Sequence, residues 1–171
     1  AFHKAASHDP IVKTKSPKLS PAPFASEEAV YNAISQAGRE TVAHRLVDSY
    51  FGNVSYHWNH TLYISQTGSS LDELGGHVDP VPMDGSTTAG LTASSELTAH
   101  MDVVRRTGCR AILHGHPKFA VILSMDCTPR EKARCAFSDQ CHINGYCNRF
   151  SGAVPILPGE VGTGPTGLCH T

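Results

Sequence analysis

Long apolar runs are missing from this chain, and with them any stretch able to cross a bilayer as a helix. A charge excess of either sign is missing too. Fourteen Lys and Arg stand against 15 Asp and Glu, so nothing suggests a nucleic-acid groove, and no polybasic run suggests a membrane surface. Residues 1–20 have no apolar centre; they mix Lys, His, Asp and Ser and do not read as a secretory leader. The expectation is therefore a cytoplasmic protein with reduced thiols. On that reading Asn53-Val54-Ser55 and Asn59-His60-Thr61 are chance matches to the glycan-acceptor pattern. An initiator Met is also absent, so Ala1 is read as following processing or a tag scar. No segment repeats another.

What is present is an ordinary globular composition, 40% hydrophobic with a formal net charge of -1. The 171 residues suffice for one domain with a sizeable core and are too few for two comfortable ones. Eleven His is a high count, and six Cys a moderately high one.

Residues 7–25 carry four Pro without periodicity, which makes residues 1–25 an extended N-terminal arm. Ser26 then has the character of an N-cap, with Glu27 and Glu28 favourable in a first turn. Val30, Ile34, Val42, Leu46 and Val47 give a helical stripe to about residue 48, interrupted by Gly38. After Gly52 the period changes: Asn53 to Tyr56 and Thr61 to Ser65 read as two strands joined by the turn HWNH. Residues 67–96 are loop-rich with a strand near His77 to Met83. A helix follows from Ser95, with Leu97, Met101 and Val104 on one face and Gly108 as its stop. Cys109 to His116 reads as a buried strand, and Pro117 suits the start of a helix to about Met125. Helices interleaved with strands point to a layered α/β domain spanning 26–171.

Side chains alternate along a strand, so His114 and His116 of HGHP share one face. Two imidazoles so placed can bind Zn²⁺ or a similar divalent ion. Alone, such a pair is more often two satisfied strand-end histidines. The neighbours change that weighting. Glu96 sits near a helix N-terminus, where it opposes the helix dipole or serves a metal as ligand or acid/base. Ser94 and Ser95 either cap that helix or help its N–H groups hold an anion.

Four motifs in order, GNVS at 52–55, ISQTGSSLDEL at 64–74, ASSE at 93–96 and HGHP at 114–117, resemble the class II aldolase/adducin family. The resemblance covers about residues 26–126, and PGEVGTGPTG at 158–167 resembles a later loop of some members. It implies a three-layer α/β/α domain with a mixed, mostly antiparallel central sheet. It also implies that Asn53, Thr67, Gly68, Ser94 and Ser95 bind a substrate phosphate, that Glu96 is the catalytic acid/base, and that His114 and His116 hold zinc together with Glu96. Taken singly, Asn53 and Gly68 are explained by turn geometry, since both types tolerate positive φ. The implied partners are a small phosphorylated substrate and other copies of the chain, often in a tetramer.

Two features depart from the pattern. The family's third zinc-binding His lies downstream in a His-Gly strand, no such segment precedes Thr171, and His170 has the wrong context. The chain is thus expected to be C-terminally short. Further, Cys127, Cys135, Cys141 and Cys147, with His142 beside the third, form an insertion at about 127–147. Their spacing fits no CxxC pair, so a zinc or iron–sulfur site there competes with free thiols and with disulfides. Cys109 and Cys169 read as structural. The leading expectation is a metal-dependent lyase acting on a phosphorylated sugar or related hydroxy-carbonyl compound. The same constellation also suits a dehydratase, epimerase or decarboxylase. The alternatives are a non-catalytic adducin-like assembly module and a Cys-cluster protein built on this fold.

Overall fold

The computed structural model describes residues 16–86, 91–125, 149–151 and 154–156. Its first helix, α1 (Glu27–Ala43), begins as the sequence predicts. Ser26 is extended, and its Oγ accepts a hydrogen bond from the Ala29 N–H at 3.2 Å. Gly38 does not interrupt this helix. A Cβ there would overlap the carbonyl oxygen of Leu71, so glycine lets the 3₁₀ turn Leu71–Glu73 lie directly on the helix. The helix ends earlier than its apolar stripe suggested. Arg45, at φ 56°, turns the chain away, leaving Leu46 exposed and Val47 buried.

Four strands follow: β1 (Gly52–Trp58), β2 (Thr61–Ser65), β3 (Val78–Pro82) and β4 (Ala111–Gly115). They form one sheet in the order β3-β2-β1-β4, and its three ladders are all antiparallel. Strand β1 runs to Trp58, because Asn59 and His60 alone make the turn, with φ values of 46° and 63°. Two residues of positive φ match the right-handed twist of a hairpin, so part of HWNH belongs to the strand. A separate two-stranded ribbon, β5 (Arg149–Ser151) and β6 (Val154–Ile156), was not anticipated.

Alternation divides the sheet into two faces. Val54, Tyr56, Tyr63 and Val78 pack with Val30 and Ile34 of α1 in the larger core cluster. Leu62 and Ile112 point the other way, onto Met101 and Val104 of helix α2 (Leu97–Thr107). Gly108, at φ 70°, closes α2 with its N–H on the Val104 carbonyl. Helix α3 (Lys118–Met125) starts just after Pro117, whose carbonyl accepts from the Val121 N–H.

One expectation needs correction. The segment leading into HGHP is a half-exposed strand rather than a buried one. Among the described residues β4 pairs only with β1, so it forms an edge, and Leu113 is 52% exposed. Cys109 is half-buried and lies before this strand. The segment 127–147 with its four cysteines and His142, the loop 158–167, Cys169 and His170 all lie outside the described residues, as do residues 1–15 of the arm.

Candidate active site

The β1–β4 ladder sets the site. Asn53 and His114 are register partners, so they lie side by side on one face. Gly52, the neighbour of Asn53, faces Gly115 across that ladder. A Cβ on Gly52 would stand 2.5 Å from the His114 carbonyl oxygen, and one on Gly115 would stand 2.8 Å from Val47 Cγ1. Glycine at 52 therefore serves close approach of backbone to backbone, and glycine at 115 leaves room for the Val47 side chain. His116 lies just past the strand, where its N–H donates to the Phe51 carbonyl at 3.0 Å.

A second wall is built from two loops. Gly68, at φ 72°, turns the chain after β2. Thr67 then holds the loop before α2: its N–H donates to the Thr92 carbonyl, and its hydroxyl donates to the Ala93 carbonyl and accepts from the Ser95 N–H. Ser94 N–H donates to the Ser65 carbonyl, while Ser94 Oγ accepts from the Glu96 N–H. Buried Asp79 supports both loops from behind, accepting from Gln66 Nε2 at 2.8 Å and from the Thr92 N–H at 2.7 Å. Glu96 occupies the N-cap position of α2, but its side chain makes no capping bond. It points elsewhere.

That carboxylate stands against His114, with Oε2 3.7 Å from Nδ1, and Asn53 Nδ2 is 3.5 Å from the same nitrogen. Both separations exceed a good hydrogen bond. The rings of His114 and His116 are 5.0 Å apart between centroids. Burial lowers the pKa of His114; Glu96 opposes this and His116 reinforces it, and the direction leaves the imidazole neutral at neutral pH. Neutral imidazole is the form that binds metals.

All eight residues picked out from the sequence line one cavity of about 180 Å³: Asn53, Thr67, Gly68, Ser94, Ser95, Glu96, His114 and His116. The sequence reading missed Gln66, Tyr50 and Phe51, which also line it. Nothing in their spacing marks them. It missed His100 as well, a fully buried residue behind the cavity. Its place four residues after Glu96, on the same helix face, was an available signal.

Residues 32–165 match the family model described as the Class II Aldolase and Adducin N-terminal domain. The chain belongs to this family. Among solved structures, L-fuculose-1-phosphate aldolase from Thermus thermophilus is 34% identical with a TM-score of 0.50, over 56% of this chain and 48% of that one. A putative aldolase/epimerase/decarboxylase from Klebsiella pneumoniae is 26% identical with a TM-score of 0.54, over 62% and 52%. The chain thus spans about half the length of the aldolase-family structures it matches. Comparison with curated proteins by sequence gives no match.

The family's metal can be weighed against these side chains. Two imidazoles and a carboxylate are the right donors for zinc. Donors about 2.0–2.2 Å from a tetrahedral zinc lie roughly 3.4 Å from each other, so the 3.7 Å between Glu96 and His114 is nearer that span than to a hydrogen bond. Among the described residues no three such donors converge at binding distance. His114, His116 and Glu96, which line the same cavity, fit the ion in kind.

Proposed function

We propose that this pocket belongs to a metal-dependent lyase of the aldolase type, acting on a phosphorylated sugar or a related hydroxy-carbonyl compound. One observation carries the reading: a single cavity gathers an anion-suited wall, a carboxylate and two imidazoles. His114, His116 and Glu96 would hold a divalent cation, zinc by donor type. When bound, that cation supplies a Lewis acid for a carbonyl oxygen.

The chain's own groups do the rest. Asn53 Nδ2, the Gly68 turn, and Ser94 and Ser95 beside the start of α2 orient the phosphate. That fixes the reacting carbon toward Glu96. Glu96 carries the proton that leaves or returns when the bond beside the carbonyl breaks. Its side chain suits this work because it makes no capping bond at its own helix. The wider expectations join the proposal: the three-layer domain around the described sheet, a homo-oligomer, and a cytoplasmic location.

The test is metal content and turnover together. Purified protein should contain zinc and cleave a ketose 1-phosphate, releasing an aldehyde and a triose phosphate. His114→Ala should lose both. Folded wild-type protein that takes up no divalent metal and cleaves no such substrate would sink the lyase reading and favour a non-catalytic module.

A further inference from the structure

His100 is 1% exposed, yet its Nε2 has no hydrogen-bond partner among the described residues. A histidine kept for packing usually satisfies both, because a buried unpaired nitrogen is costly. Its Nδ1 shares a hydrogen bond of 2.7 Å with Ser55 Oγ, itself 1% exposed. That single contact joins two parts of the pocket. His100 lies one helical turn after Glu96, and its N–H donates to the Glu96 carbonyl. Ser55 lies two residues along β1 from Asn53 on the same face, and it faces Ile112, two residues before His114, across the ladder.

We infer that His100 is a positioning residue, which docks the first turn of α2 on β1 through Ser55 and thereby fixes Glu96 against His114. This rests on the reading of the pocket as a metal-binding lyase site. Glu96 and His114 come from elements that share no strand pairing. The Ser94–Ser65 and Ser95–Thr67 bonds hold the chain just before Glu96, and the Ser55–His100 bond holds it one turn after. The neighbouring apolar contacts of α2, Met101 and Val104 on Leu62, are non-directional and fix burial rather than register. The Ser55–His100 bond is directional and lies between them and Glu96. Burial holds the His100 pKa down to about 4, with His114 adding to the depression, so the ring stays neutral and the bond persists near neutral pH.

The test compares Ser55→Ala, His100→Ala and His100→Asn. Asparagine places a polar atom near the position of Nδ1 and can keep the bond to Ser55. Zinc affinity is measured by competition with a chromophoric chelator. In metal-free protein the imidazole ¹⁵N signals of His114 are recorded at one fixed pH. Ser55→Ala and His100→Ala should bind zinc roughly 10–100-fold more weakly and shift the His114 signals, while His100→Asn restores both. Folded Ser55→Ala protein with unchanged zinc affinity and unchanged His114 signals overturns the inference. So does His100→Asn behaving like His100→Ala, which would assign the residue to core filling. If His100→Ala does not fold, Ser55→Ala and His100→Asn decide. If the wild type binds no zinc, the lyase reading fails, and the metal-free His114 signals alone judge His100.

Discussion

The two walls of the pocket are held in different ways. The loop wall is fastened by hydrogen bonds of good length: Thr67 spans Thr92, Ala93 and Ser95, and Asp79 braces Gln66 and Thr92 at 2.7–2.8 Å. The histidine wall has a fixed backbone but loosely engaged side chains, with contacts of 3.5 and 3.7 Å around His114. A wall that receives a phosphate gains from rigidity, since pre-oriented N–H groups and hydroxyls lose little entropy on binding. A wall that gathers donors around an ion must let side chains turn toward it. The contrast is the one that the proposed function calls for, a phosphate on one wall and a cation on the other.

The largest effect is expected where Glu96, at the end of the loop wall, meets the histidine wall. Glu96→Gln keeps the shape and removes the charge, so turnover of the zinc-loaded protein should fall by about 10²–10⁴. Initial rates with metal content measured in parallel check this, and wild-type turnover in that variant would erase the difference between the walls. Next comes the seam between them. His100 titrates near 4 when folded and at 6.5 when free, so the unfolded chain binds more protons between those values. Stability should accordingly rise with pH from about 4 to 6.5 and flatten above, a change on the order of 3 kcal/mol. Urea midpoints across that range measure it, and His100→Asn should remove most of the slope. The partly exposed His57, also lowered by burial, contributes in the same direction.

Smaller effects probe the loop wall. Asp79→Ala strips the acceptor from Gln66 and the Thr92 N–H and should cost about 1–3 kcal/mol. Thermal melting gives that cost. Inorganic phosphate binding should weaken with it, while zinc affinity, which draws two of its three proposed donors from the other wall, should change less. Thr67→Val, which removes only the hydroxyl's two bonds, should cost about 1 kcal/mol. If either substitution moves zinc affinity as much as phosphate affinity, the walls are one cooperative unit and the contrast fails.

The sequence was most legible where local chemistry decides structure. Ser26 capped α1 and Gly108 closed α2, because caps depend on a residue or two. All eight candidate residues line one cavity; each was picked out because it stood in a motif whose order could be read. Legibility failed where distant parts decide. Gly38 looked like a break until Leu71 lay against it. Among the described residues β4 has one strand neighbour and Leu113 is 52% exposed, and the residues of β4 do not encode either. His100 looked like another helical residue, since its partner Ser55 lies 45 positions away.

The register of β1 against β4 has a last consequence. Asn53 and His114 sit on one rung, and neighbouring strands keep a spacing of about 4.8 Å. The sheet thus acts as a gauge. The two side chains can turn, but their points of attachment keep a separation written in backbone. Loops around the pocket can change in sequence and re-tune what is admitted, yet the gauge stays. Sliding the strands by one residue would turn His114 to the opposite face and abolish the pocket rather than resize it.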